Sequence, residues 1–574
     1  MPKANPRGNT AQKLLIWGAV LWFALFLLVP LFTLFSKVFQ DKGGAFIGLE
    51  NFRSYFATPS LVLSIGHSFE VSIWSMGIAV VLAFLFAYGL ARCKIPCKNV
   101  LKNIALLPLF VPTMVHAMGL ISIFGRAGIV TRELGLDIGI YGKTGIIMAE
   151  IFYVFPQAFL ILTIALESAD FRLYEAAAVM GSGPIRTFFR VTLPGAKYGL
   201  MNAAFVCFTL CFTDFGAPQV IGGNYAVLST DVYKQVVGQQ NMPMGSVVGV
   251  ILTLPAIAAF FANRFSHRKG AAEEISSKAI AFRIQKQPLR DMIYTCFMGL
   301  SDLLILFLFA AVFATAFSYK WPQNMAFSLR HFDFDAKLIN GGSSSFMYSL
   351  LLCTGTALLG TIIVFITAYL TEKTRPLAPV RSSLRFCSML PMALPGLVIG
   401  LSYIMFFNKT DFSFFGLSIP NPLHGLYRTV LIMILSNIVH MFAVTYVTAT
   451  TSLKKLDKAY EDAAESMAVP PWKLFLRVTV PLSLTAVIEV ATYFFVNAMI
   501  TVSAIVFLYT PDNKPAALAI LNMDDNADYA AASAMSICLL GMNLAARLGF
   551  DALKKRLAIK HESSNKAAPV KQVG

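Results

Sequence analysis

Asp214 stands in "CFTDFGAP", and Glu150, His116 and His440 stand in other runs that are otherwise apolar. An ionisable side chain within hydrocarbon is costly, so such groups are functional candidates that bind a charged solute, relay a proton or hold another helix. Two further stretches are polar and rich in small residues between long apolar runs: "EAAAVMGSGPIRTFFRVTLP" from Glu175 to Pro194, and "DAAESMAVPPWKLFLRVTVP" from Asp462 to Pro481. Small Ala side chains permit close approach by a second protein, so these stretches have the composition of a contact surface. No paired carboxylates, nucleophile elbow or metal-ligand cluster recurs at a consistent depth, which argues against an embedded enzyme. Cys93 with Cys97, and Cys207 with Cys211, lack accompanying zinc ligands and read as small buried hydrophobes. The nearest approach to a phosphate-cradling loop is "DIGIYGKT" at 137–144, where Asp137 occupies the first glycine position. The chain is therefore expected to bind no cofactor.

Apolar helices must position these groups. The chain has 574 residues, 57% hydrophobic and 13% charged, with mean hydropathy +0.66, against roughly 25% charged residues in soluble domains. A spanning helix needs about 20 apolar residues. Twelve runs qualify, near 13–36, 64–91, 102–125, 145–166, 198–222, 243–263, 292–317, 347–371, 386–407, 427–451, 482–509 and 529–549. The first exceeds a signal-peptide core and lacks a small-residue cleavage site, so it reads as an uncleaved helix. With the N-terminus inside, 34 of the 47 Lys and Arg residues fall on the cytoplasmic side, as retention of positive flanks requires. Both termini are then cytoplasmic, and the net charge of +17 reflects topology and contact with membrane lipid, with no nucleic acid invoked.

The runs repeat. "SFEVSIWSMGIAVVLAFLFAYGLARC" from Ser68 aligns with "SLLLCTGTALLGTIIVFITAYLTEKT" from Ser349, sharing Ala-Tyr at 87–88 and 368–369. "PLFVP" at 108–112 answers "PMALP" at 391–395, and residues 166–194 match 453–481 at 11 of 29 positions with a shift of 287. The expected fold is an all-α membrane protein of twelve helices in two homologous six-helix halves. The halves are 1–263 and 291–550, with a cytoplasmic linker at 264–290 and a basic cytoplasmic tail at 551–574. Six helices per half put both the same way up about an axis along the membrane normal, as in parallel-repeat transporters.

In that topology the twin stretches lie in cytoplasmic loops, 167–195 and 453–481. Leu173, Ala176, Ala177 and Met180 share one helical face, Gly181 and Gly183 supply a stop, and Pro184 suits the first turn of a second short helix. These residues resemble the permease subunits of binding-protein-dependent ABC importers, whose loop reads Glu-Ala-Ala, a Gly shortly after, and Leu-Pro further on. The first copy fits throughout; in the second Glu becomes Asp462, Gly becomes Ala468, and the turn passes to Pro470 and Pro471. The resemblance implies a type I ABC importer permease fold and an ATPase-coupling helix in each loop. The roles fall on Glu175, Ala176, Ala177, Gly181 and Pro194, and on Asp462, Ala463, Ala464, Ala468 and Pro481. It further implies a cytoplasmic ABC ATPase partner in two copies, a periplasmic solute-binding protein, and a bacterial inner-membrane location.

The fused arrangement is similar to the ferric-iron permease branch, and "VLSTDVYKQVVGQQNMPMGSVVG" and "VSAIVFLYTPDNKPAALAILNMDD" look most like permeases of 2-aminoethylphosphonate. Ferric iron and polyamines stand as alternative cargoes. The repeat shift sets Asp214 opposite Thr501, so Thr213, Asp214, Thr501 and Ser503 are the candidate lining of the translocation pathway, with Asp214 able to pair with an ammonium group. The competing role for Asp214 is an interhelical hydrogen bond. An ion-gradient-driven secondary transporter would also use Asp214 and Glu150, but it leaves the twin loops unexplained.

Overall fold

The computed structural model describes residues 6–273, 282, 284, 286–335, 342–414, 417–467 and 469–567. Among them, nine helices are long and apolar enough to cross a membrane, and three further helix pairs, each bent at a short break, raise the number to twelve. The protein is thus an all-α membrane protein. Two short antiparallel hairpins interrupt it, Ser318–Lys320 with Asn324–Phe327 and Asp411–Phe414 with Leu417–Pro420.

The proline pairs break helices that the hydropathy runs show as continuous. The run near 102–125 is a helix Lys98–Ala105, a 3-10 turn Leu107–Phe110 and a helix Thr113–Phe124. Val111 is extended because the ring of Pro112 crowds the residue before it. The run near 386–407 is likewise two pieces, Ala378–Ala393 and Gly396–Phe407, bent by 111° about Pro395. The runs 198–222 and 482–509 also end early. Lys197–Thr213 stops at Asp214 and Leu484–Ile500 stops at Thr501, both residues being extended.

The chain forms two compact units, one of residues 35–342 with 518–537, the other of residues 1–34, 343–517 and 538–574. These differ from the halves expected at 1–263 and 291–550. The opening helix packs in the unit of the second half: Trp22 lies tilted against Phe442 at 5.5 Å and Phe23 meets it edge-on at 4.9 Å, and Tyr403 donates to the carbonyl of Phe26 at 2.7 Å. The helix Pro288–Phe317 belongs with the first, where Thr315 donates to Ser122 at 3.0 Å and Tyr294 packs on Tyr88. A sequence repeat counts segments in order, whereas compact units follow packing.

Within each unit the helix carrying the Ala-Tyr pair, Pro59–Arg92 or Ser344–Glu372, is the scaffold. A buried serine on each receives the first N–H of a later helix. Ser68 accepts from Leu228 and Ser349 accepts from Ala516, both at 2.8 Å, so a donor that apolar surroundings would leave unpaired is satisfied. Close packing then depends on small residues. A Cβ on Gly360 would lie 2.9 Å from the ring of the fully buried Phe494, whereas one on Gly299 would meet nothing within 4 Å. Gly360→Ala should lower unfolding stability by about 1–3 kcal/mol and Gly299→Ala should leave it level or raised, as read by thermal unfolding in detergent.

Candidate functional site

Two sets of residues carry the sequence expectation, the twin loops and the helix break at Asp214 and Thr501.

Each loop opens with a short helix, Phe171–Val179 or Ala459–Ser466. An aspartate precedes each: Asp170 accepts the N–H of Arg172 at 3.1 Å and Asp457 that of Ala459 at 3.0 Å, satisfying an end donor. At the far end Gly181 sits at φ +67°, and Ser182 N–H reaches back to the carbonyl of Ala177 at 2.9 Å, a left-handed helix stop for which glycine is suited. The second copy makes the matching bond from Val469 N–H to Ala464, also 2.9 Å. Ala468 lies outside the described residues. The chain then runs through Pro184–Gly195 or Pro471–Leu482 and turns by 62° or 80° into the following helix.

Of the expected contact residues, Ala177 and Ala464 are buried, at 3% and 9% exposure. Glu175, Ala176, Gly181 and Pro194 are exposed, as are Asp462 and Ala463, and Pro481 is half-buried. Asp462 pairs with Arg375 at 2.9 Å, and Arg375 also meets Glu465 at 3.2 Å. The expected apolar face of the first loop helix faces outward: Leu173 and Met180 are exposed and Ala177 alone of the four turns in. Large apolar side chains are exposed at four positions related by the shift of 287: Leu173 and Tyr460, Met180 and Met467, Ile185 and Trp472, Phe189 and Leu476. Side chains of this size on one surface mark a protein or membrane contact.

At the helix break, Asp214 Oδ1 accepts from the Thr113 hydroxyl at 2.9 Å and Oδ2 accepts from Ala217 N–H at 3.0 Å. Asp214 therefore joins two helices and starts the short helix Gly216–Ile221. Thr213 and Thr501 donate to carbonyls one turn back, those of Thr209 and Asn497 at 2.9 and 2.7 Å. Asp214, Thr213, Thr501 and Ser503 are all half-buried. Glu150 lies beside Asp214 and Cys211, fully buried, and neither of its oxygens has a hydrogen-bond partner among the described residues. Shifted by 287, Glu150 falls on Asn437, also fully buried and without such partners. The sequence signalled this pair through the repeat.

A second relation was invisible before the structure. Thr113 follows PLFVP, and Gly396 holds the matching place after PMALP; Gly216 and Ser503 are matched by the shift of 287. A Cβ on Gly216 would lie 2.3 Å from the Thr113 hydroxyl, and one on Gly396 would lie 2.4 Å from the Ser503 hydroxyl. One hydroxyl and one glycine thus meet in both halves, with the partners exchanged. Glu70 takes the ammonium of Lys143 and, at 2.6 Å, the Tyr225 hydroxyl. Glu489 pairs with Lys554.

The repeated, helix-broken architecture with two exposed loop surfaces is that of a membrane transport component. Residues 79–269 and 360–559 each match the model for the binding-protein-dependent transport system inner membrane component, and the chain belongs to that family. It is 27% identical over 507 residues to the putative ferric transport system permease protein FbpB 1 of Haemophilus influenzae, covering 86% of this chain and 77% of that protein. It is also 27% identical over 547 residues to the ferric transport system permease protein FbpB of Actinobacillus pleuropneumoniae, covering 93% and 77%. Among solved structures, a chain of a bacterial alginate ABC transporter, in complex with alginate pentasaccharide-bound periplasmic protein, matches at 18% identity and a TM-score of 0.39. The match covers 46% of this chain and 96% of that one.

Gly396→Ala should destabilise the protein by about 1–3 kcal/mol, and adding Ser503→Gly, which removes the opposing hydroxyl, should recover most of the loss. Thermal unfolding of the two variants in detergent measures both.

Proposed function

We propose that the chain is the permease subunit of an ATP-driven ABC importer in a bacterial inner membrane, with both termini cytoplasmic. Its two loops dock the hydrolysing subunits of a separate ABC ATPase, two copies per chain, and a periplasmic binding protein delivers a small solute to the pathway. The observation that carries this reading is the agreement of the two loops at four exposed apolar positions. Lipid headgroups would accept any apolar pattern, whereas two copies of one partner require the same pattern twice. The glycine stop at Gly181 and the bond from Val469 to Ala464 give both loops a defined end from which a docked partner can push.

We propose 2-aminoethylphosphonate as the cargo, on the resemblance of residues 227–249 and 502–525 to permeases of that solute. The names of the two ferric relatives favour ferric iron as the alternative. Asp214, half-buried at the helix break, supplies an acidic group that either an ammonium or a metal cation would meet. Hydrolysis stimulated by the cognate binding protein, loaded with one solute or the other, separates the two cargoes.

Tagged wild-type protein should retain the ATPase through purification. Met180→Asp combined with Met467→Asp should remove it while the permease still elutes as one species; retention of the ATPase by that double variant would sink the docking role of these faces. For the pathway, Asp214→Asn removes the charge while its amide can still accept from Ala217 N–H and donate to the Thr113 hydroxyl, so it should cost no more than about 1–2 kcal/mol of stability. Uptake and cargo preference unchanged in that variant would leave Asp214 as a helix-joining residue only.

A further inference from the structure

The Ala-Tyr pair recurs on the second helix of each half, and the proposed function gives it no role. In the structure its tyrosine meets the loop in both halves, and in the first half Phe84 joins it against the same ring. Tyr88 packs on Phe188 at 6.0 Å and Tyr369 packs on Phe475 at 4.9 Å; these phenylalanines match under the shift of 287. Four residues further along, the same face presents a cation. Arg92, 1% exposed, donates to the carbonyl of Leu166 at 2.7 Å and to the Tyr174 hydroxyl at 3.3 Å, and its guanidinium lies over the rings of Tyr174 and Phe282 at 5.0 and 3.9 Å. Lys373 donates to the carbonyl of Leu456 at 2.9 Å and pairs with Glu461 at 3.0 Å. Tyr174 and Glu461 occupy the same place in the repeat.

We propose that these residues are positioning residues for coupling: a tyrosine and a cation one turn apart on the Ala-Tyr helix grip the two ends of the loop, so that a push on the loop moves the helix. This rests on the reading of the loops as ATPase-docking levers. A loop gripped at one point would swivel, and one gripped at two moves as part of the helix. The halves keep the geometry while changing its chemistry, a cation over an aromatic ring in one and an ion pair in the other. That substitution is expected of a position selected for holding rather than for a particular group. The ion pair has the burial that makes it specific. Side-chain exposure is 6% for Lys373 and 17% for Glu461, so removing either partner strands the other charge. The Arg375 pairs, with side chains 76%, 62% and 39% exposed, lie in solvent, where such contacts are weak.

The test uses the full complex of permease, ATPase and binding protein in lipid nanodiscs, with the binding protein supplied in turn with 2-aminoethylphosphonate and with ferric ion. Lys373→Glu and Glu461→Lys should each reduce binding-protein-stimulated ATP hydrolysis about fivefold or more while the ATPase still copurifies. The exchanged pair K373E/E461K should exceed both single variants but stay short of wild type, because a carboxylate at position 373 cannot donate to the Leu456 carbonyl, and Lys373→Arg should remain near wild type. A merely structural role would lower thermal stability and ATPase copurification in step with stimulated hydrolysis, whereas the grip lowers stimulation in complexes that still hold their ATPase and melt as wild type does. Should the single reversals fail to accumulate, Glu461→Gln, which keeps the size and removes the charge, carries the same expectation of reduced stimulation. Single variants at the wild-type rate, or an exchanged pair no better than its parents, would overturn the proposal. Wild-type protein that holds no ATPase would overturn the underlying reading and this one with it, whereas normal copurification with unaffected variants overturns the grip alone.

Discussion

A helix that stops among apolar surroundings leaves backbone groups without water, and something must take them. That constraint organises this chain. Where the helix ends at Thr213, the Asp214 carboxylate takes the N–H of Ala217 and the hydroxyl of Thr113. Where later helices begin, Ser68 and Ser349 take the leading N–H groups of Leu228 and Ala516. The carbonyls of Leu166 and Leu456 are taken by Arg92 and Lys373, and that of Ala504 by the Ser436 hydroxyl at 2.7 Å. The polar residues in the apolar runs are in large part the answer to the breaks, and the breaks place the loops.

The two halves solve the same geometry with different residues. Asp214 faces Thr501 across the repeat, Glu150 faces Asn437, and Thr113 with Gly216 is answered by Gly396 with Ser503. The first half keeps two acidic groups where the second keeps neutral ones. The loops diverge in the same manner: Gly181 takes the left-handed conformation in the first, while Pro470 and Pro471 follow the loop helix in the second. Shared position with altered chemistry is what duplication followed by separate drift leaves behind.

The helical class, the repeat and the place of the loops were legible because hydropathy and spacing encode them directly. The breaks at Pro112 and Pro395 were written in the sequence as prolines but hidden by unbroken apolar runs. The exchange of the opening helix and Pro288–Phe317 between compact units left no trace in spacing, since it depends on contacts such as Phe23 on Phe442 between residues far apart in order. Asp214 was found as a polar residue in an apolar run, yet its partner Thr113 lies 101 positions away and no local pattern names it. The outward turn of Leu173 and Met180 lay beyond the spacing for a related reason: periodicity reveals a face, and only packing says which way it points.

The central claim, that two loops on one chain carry an engine the chain lacks, is tested most directly by native mass spectrometry of the complex purified through the permease. The account predicts one permease chain with two nucleotide-hydrolysing subunits, reduced to one when either loop alone is disabled. A permease that flies without such a subunit, or holds its full complement after both loops are altered, would contradict it.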